Sequence, residues 1–212
     1  MCGRYCIAAS PGEIHERYQV ITPELYTPRF NLAPGQKILS ITQGSQHYDA
    51  HLIDWGIQSG KGHRVINARI ETIHEKHLFR DLVLSHRCLI PASGYYEWKH
   101  AAGMKIPYYF SSRSESLISF AGLIHPSPTG GEGVILTTQA SPPCSDIHDR
   151  MPVLLNPPDE QKYLLYGEIS PIEERLEMFE VSSRVNRVGV DDPGLVKPSK
   201  PGSQQVLQFD DE

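Results

Sequence analysis

No stretch of this 212-residue chain comes near the roughly 18 consecutive apolar residues that a membrane-spanning helix needs. The leading segment has one early charge, Arg4, and then only Tyr5 to Ser10 without charge, too short a run for a secretory signal. The chain is therefore expected to work in the cytosol or on the nucleoid, where thiols stay reduced. Cysteine is sparse, and Cys2, Cys6, Cys88 and Cys144 are too scattered for a disulfide framework. No internal repeat and no long Gly/Ser or Pro linker divides the sequence. The expected organisation is one domain over residues 2–198 and a flexible acidic tail over 199–212.

An excess of basic residues is lacking too. Lys and Arg number 20 against 25 Asp and Glu, a net charge of −5, which at first argues against a nucleic-acid partner. The distribution changes that reading. Residues 159–180 hold seven acids and two bases, net −5, and Asp210, Asp211 and Glu212 add −3, so the remainder sums to +3. The acidic segment reads as a solvated helical face. The rest of the chain is left to present a basic surface from Arg4, Arg29, Arg64, Arg69, Arg80 and Arg150.

Turn and cap signals are plentiful. Ser10-Pro11-Gly12-Glu13 is a capping box with Pro at the first helical position, opening a helix to about Gln19. Two β-rich runs, 36–43 and 47–55, flank Gly44-Ser45-Gln46 as a hairpin. Residues 71–85 read as helical in part. Leu89–Ile90, Tyr95–Trp98, Ile106–Phe110, Leu117–Ala121 and Val134–Thr138 read as strands. Asp159–Tyr166 reads as a helix stopped by Gly167. Ser170-Pro171-Ile172-Glu173 suggests a further capped helix, with Ile172, Leu176 and Phe179 as its stripe. Short strands dominate, so the class is α+β, a mixed, largely antiparallel sheet or barrel core with a few short helices.

Cys2 carries the most chemical information. Removal of Met1 leaves an N-terminal cysteine, with an α-amine of reference pKa about 7.7–8.0 and a thiol near about 8.5. The amine can form a Schiff base with an aldehyde. The thiol can then close on the imine carbon to a five-membered thiazolidine, a step driven by its intramolecularity. Three further patterns are weak singly. Gly94-Tyr95-Tyr96-Glu97-Trp98 sets a carboxylate inside an aromatic strand, where Tyr95 and Glu97 share a face. His148 stands two residues before Arg150 in a loop ended by Pro152, and Asn67 precedes Arg69 at strand spacing.

Taken together, the ordered motifs resemble the SRAP family (SOS-response-associated peptidases, the abasic-site processing proteins). They run from Met1-Cys2-Gly3-Arg4 and Phe30-Asn31-Leu32-Ala33-Pro34 through Trp55-Gly56, Asn67-Ala68-Arg69-Ile70-Glu71-Thr72 and Arg87-Cys88-Leu89-Ile90-Pro91. They continue with Gly94-Tyr95-Tyr96-Glu97-Trp98, Ala121-Gly122-Leu123, Thr137-Thr138 with Ala140, His148-Asp149-Arg150-Met151-Pro152-Val153 and Val181-Ser182 with Val185-Asn186. The resemblance implies a monomeric enzyme that binds single-stranded DNA. It implies a covalent thiazolidine between Cys2 and the C1′ aldehyde of a ring-opened abasic site, with AP lyase and self-processing peptidase activity besides, and no cofactor. It assigns Asn67 to hold the Cys2 amine, Glu97 to acid/base transfer and His148 to protons at the sugar oxygen. Arg4, Arg69 and Arg150 would contact phosphates, and Asn31, Pro34, Trp55, Trp98 and Thr138 would line the DNA groove.

Two other chemistries fit parts of the same pattern. Cys2, Cys6, Cys144 and His148 form a legitimate tetrahedral zinc set. A free N-terminal cysteine can also serve an amidohydrolase or cysteine peptidase, with its own amine as base.

Overall fold

The computed structural model describes residues 2–59, 62–101, 103–127, 130–170 and 176–199, and the backbone of 204–205. Strand β1 (Tyr5–Ile7) leads through helix α1 (Pro11–Tyr18) to β2 (Arg29–Leu32). The hairpin of β3 (Lys37–Gln43) and β4 (Tyr48–Trp55) follows, then the short β5 (Ile57–Gln58), β6 (Arg64–Val65) and β7 (Asn67–Arg69). Helix α2 (Leu82–Ser85) precedes five longer strands: β8 (Arg87–Ala92), β9 (Gly94–Ala101), β10 (Met104–Ser112), β11 (Ile118–His125) and β12 (Glu132–Gln139). The chain continues through β13 (Arg150–Pro152), β14 (Leu154–Leu155), helix α3 (Pro157–Tyr166), β15 (Leu176–Glu180) and β16 (Gln204–Gln205). The class is α+β, as the sequence predicts. Among the described residues no helix is long and apolar enough to cross a membrane.

Strand β12 pairs with β4 on one edge and β11 on the other, so β12-β4-β3-β8-β11 closes into a ring. Closure is short on one side, where β4 meets β12 at Asp54↔Glu132 and Trp55↔Gly133. A second, antiparallel sheet runs β16-β15-β10-β9-β1-β2. Fully buried aromatics fill the space between. Tyr5 meets Trp55 and Phe120 edge to face at 5.3 and 5.8 Å, and Tyr95 stacks on Phe110 at 5.0 Å. Such contacts contribute about 0.5–1.5 kcal/mol each beyond the area they bury.

Strand β9 divides its side chains as strand alternation requires. Tyr95 enters the main core, while Tyr96 and Trp98 join a separate cluster with Cys6, Tyr109, Phe179, Val185 and Leu195. Gly94 opens the strand because nothing larger fits. A Cβ there would stand 2.3 Å from the Phe110 carbonyl oxygen and 2.5 Å from the Tyr109 ring.

The capping signals of the first and third helices hold. The Ser10 hydroxyl accepts from the Glu13 amide, and the Glu13 carboxylate accepts from the Ser10 amide. Gly167 ends α3 in the left-handed region, φ 76°. Over 71–85 the structure forms one 3-10 turn at Ile70–Thr72 and the four-residue α2. The helix expected around Ile172 is corrected: residues 171–175 lie outside the described residues, and Leu176–Glu180 is strand β15, paired with β10 from Glu180↔Tyr108 to Leu176↔Ser112. Its Leu176, Met178 and Phe179 are buried, and the neighbouring strand overrides the helical spacing. The acidic segment is not uniformly solvated either. Glu160 is 4% exposed and accepts from both terminal nitrogens of Arg17, at 3.1 and 2.5 Å, and from Ser119 Oγ at 2.6 Å.

Candidate functional site

Cys2 precedes β1 and is fully buried in the main core. Burial first, and then the charge of Glu97, push its thiol well above the ordinary thiol range, while a hydrogen bond from the Arg4 backbone lowers it slightly. Asn67 reaches it from β7, which lies parallel to β12 with Asn67 opposite Ile135. Its Nδ2 donates to the Cys2 carbonyl at 2.8 Å, and its Oδ1 is buried with no hydrogen-bond partner among the described residues. Asn67 thus grips the carbonyl of Cys2 and presents an unfilled acceptor beside it.

Glu97 is 4% exposed on β9 and lines an open cleft of about 410 Å³. Arg4, Trp98, His100, Lys105, His148 and Asn186 form the rest of the lining. Glu97 therefore lines the cleft while its charge acts on the buried Cys2 thiol. Next to this group the Tyr95 hydroxyl lies 2.8 Å from Cys144 Sγ, and burial pushes the Cys144 thiol up to about 12. His148 Nδ1 lies 3.0 Å from the Arg150 backbone nitrogen and 2.7 Å from Asp149 Oδ1. Accepting from the amide leaves the ring proton on Nε2, whereas donating to Asp149 requires Nδ1–H.

The structure gathers Arg4, Glu97, Trp98 and His148 around one cleft and ties Asn67 to Cys2. Other expected site residues stand elsewhere. Pro34 and Arg69 are exposed, and Thr138 opens on a separate cavity of about 330 Å³ with Ile70, Gln139, Ser141 and Met151. Trp55 is a correction. It is 0% exposed, packs on Tyr5 and donates Nε1–H to the Ile66 carbonyl at 3.2 Å, so it is core and not a stacking platform. Asn31 is a second correction. It is 0% exposed, its Nδ2 donates to the carbonyls of Val185 (3.3 Å), Arg187 (3.0 Å) and Val190 (2.7 Å), and its Oδ1 accepts from Arg4 at 2.7 Å. It anchors the segment that carries Asn186 to the cleft wall.

The expected basic surface is likewise thinner than the sequence suggests. Arg29 pairs with Asp191, Arg64 donates to the Gly56 carbonyl, and Arg80 faces Asp81. Arg150 forms a two-pronged bond to Glu71 with its side chain 11% exposed, so a phosphate would compete with Glu71 for its guanidinium. Arg69 is exposed and makes no ion pair with the described residues. The tetrahedral zinc set does not assemble. Cys6 sits in the cluster with Tyr96 and Tyr109, apart from Cys2, and no metal-binding group of His, Cys, Asp and Glu forms among the described residues.

His100, Lys105 and Asn186 are cleft residues to which the sequence reading gave no role. His100 and Lys105 are brought together by the β9–β10 register, where they stand opposite each other. The hairpin spacing carries that signal. Asn186 carries no signal beyond the Val185-Asn186 motif, because its place in the cleft depends on how a distant segment folds back.

A family model described as SOS response associated peptidase (SRAP) matches residues 1–188. The chain is 34% identical over 222 residues to "Abasic site processing protein YoqW" of Bacillus subtilis, covering 93% of this chain and 99% of that one. It is 30% identical to "Abasic site processing protein YedK" of Escherichia coli, over 77% and 79% of the two chains. A crystal structure of a protein from Bacteroides thetaiotaomicron shares the fold with a TM-score of 0.77 at 22% identity, covering 93% of this chain and 99% of that one.

Proposed function

Since this chain belongs to the SOS response associated peptidase family, we propose that it processes abasic sites in single-stranded DNA by forming a covalent bond through Cys2. The observation that carries the reading is the coupling of Cys2 to Asn67 on one side and to Glu97 on the other, with Glu97 lining an open cleft.

Loss of Met1 converts the Cys2 amide into an amine, and the peptidase activity after which the family is described is assigned to this step. The amine adds to the C1′ aldehyde, and loss of water gives an imine. Asn67 Oδ1 is the buried acceptor available to the amine's N–H, while Nδ2 holds the carbonyl in place. The thiol then adds to the imine carbon. A C–S bond forms, the thiol proton leaves and the imine nitrogen gains one, closing the thiazolidine. A thiol kept protonated by burial needs a nearby base at this step, and Glu97 takes that role. His148, across the same cleft, supplies the proton for sugar ring opening. Strand cleavage by β-elimination would start from the same imine.

Arg4, Arg69 and Trp98 form the DNA-facing set, with Pro34 and Thr138 at its margins. Phosphate contacts would give salt-dependent affinity without sequence readout, and Trp98 supplies a stacking face. Residues 2–198 serve as the reacting domain in this proposal, with strand β16 (Gln204–Gln205) of the following segment pairing onto β15. The deciding experiment is an intact mass after incubation with an abasic single-stranded oligonucleotide. Loss of the Met1 residue and one added oligonucleotide, less one water, is the expected product. Cys2→Ala should give no adduct, and an adduct at wild-type yield would refute the assignment.

A further inference from the structure

Arg150 belongs to two systems at once. Its backbone N–H donates to His148 Nδ1 at 3.0 Å. Its guanidinium reaches across β12 to Glu71, with Nη1 to Oε1 at 2.8 Å and Nη2 to Oε2 at 2.9 Å, and Nη2 also donates to the Thr137 carbonyl at 2.6 Å. Glu71 follows Asn67 by four residues, just beyond the end of β7. Strands β7 and β13 lie on opposite edges of β12, where Thr137 pairs with Arg69 on one side and with Pro152 on the other. A two-pronged ion pair therefore ties the turn that follows Asn67's strand to the residue that ends the His148 loop, in addition to the pairing of both strands with β12. Arg and carboxylate fit each other in this fork with defined geometry. The Arg150 side chain is 11% exposed and the Glu71 side chain 45%, so the fork is shielded on the arginine side and open to solvent on the carboxylate side.

We propose that Glu71 is a positioning residue: by holding Arg150 it sets His148 relative to Asn67 and Cys2, and it governs the rate of crosslinking, not the grip on DNA. This rests on the abasic-site reading above. A phosphate-binding Arg150 would have to release Glu71 first, so the two roles separate experimentally.

The test is single-turnover crosslinking of the processed full-length protein with an abasic single-stranded oligonucleotide. It reads the saturating rate constant, the half-saturating concentration, the final adduct yield and the salt dependence. Glu71→Gln should lower the saturating rate constant about tenfold, because small displacements of reacting groups cost rate steeply. Half-saturation should stay within about twofold and the salt slope unchanged. Arg150→Lys, which keeps the backbone contact to His148 and one charge, should lose less, about threefold. Tighter binding by Glu71→Gln with a salt slope steeper by about one unit would overturn the proposal, since Glu71 would then be restraining a phosphate contact. An unchanged rate constant with reduced yield would overturn it as well, since only the folded fraction would have changed. No adduct from the wild type would instead overturn the abasic-site reading, and this proposal with it.

Discussion

Replacing Asn31 with alanine separates an anchor from a DNA contact. The amide is fully buried and bridges Arg4 to the carbonyls of Val185, Arg187 and Val190. Two amide hydrogens serve three carbonyls, so the bonds to Val190 (2.7 Å) and Arg187 (3.0 Å) carry most of that side. Val185 keeps its bond from Arg4 at 2.7 Å in the variant. The loss is then two carbonyls at about 1 kcal/mol each, the low end because water reaches them from the surface, and one charge-assisted bond at about 1.5 kcal/mol. The total is about 3.5 kcal/mol. For a domain of this size that lowers Tm by roughly 7–14 °C. Thermal unfolding measures it, and amide exchange over residues 183–190 should quicken with it. A variant of wild-type stability that binds DNA more weakly would refute the anchor and restore Asn31 to the groove.

Two other perturbations follow from buried charge. Arg17→Ala leaves Glu160, 4% exposed, with Ser119 as its remaining hydrogen-bond partner, and should cost about 2–3 kcal/mol in urea unfolding, a little under a fully buried pair because Arg17 is 21% exposed at its side chain. The Arg150 fork holds the Glu71 carboxyl below its usual range. A depressed carboxylate stabilises the fold above its unfolded pKa of about 4.3 and loses that contribution as pH falls through the lower folded value. The stability difference between wild type and Glu71→Gln should therefore be constant at neutral pH and shrink below about pH 4, a trend that denaturation at stepped pH reads directly.

Legibility followed the range of the forces involved. The helix caps at Ser10 and Gly167 and the hairpin at Gly44 were readable because their partners lie within four residues. The placement of Tyr95 away from Tyr96 and Trp98 followed from strand alternation alone. Leu176–Glu180 misled because spacing suits a helix, while pairing with β10, more than 60 residues earlier, makes it a strand. Among site residues, the motifs named Cys2, Asn67, Glu97 and His148 without saying how they meet. The hydrogen bond of Asn67 to the Cys2 carbonyl spans 65 positions, and no local pattern encodes it.

Asn31 and Trp55 mark the same boundary from the other side. Their types suit DNA, and their motif positions suggested it, yet each is committed inside the protein. By itself the sequence determined the covalent possibilities: a second-position cysteine, an amide, a carboxylate and an imidazole, and the strands and turns that carry them. The tertiary structure decided which of these share a cleft and which charges face water. A side chain's chemistry is fixed by its atoms, but its availability depends on partners that closure of the β12-β4-β3-β8-β11 ring and the returning 183–192 segment bring from elsewhere in the chain.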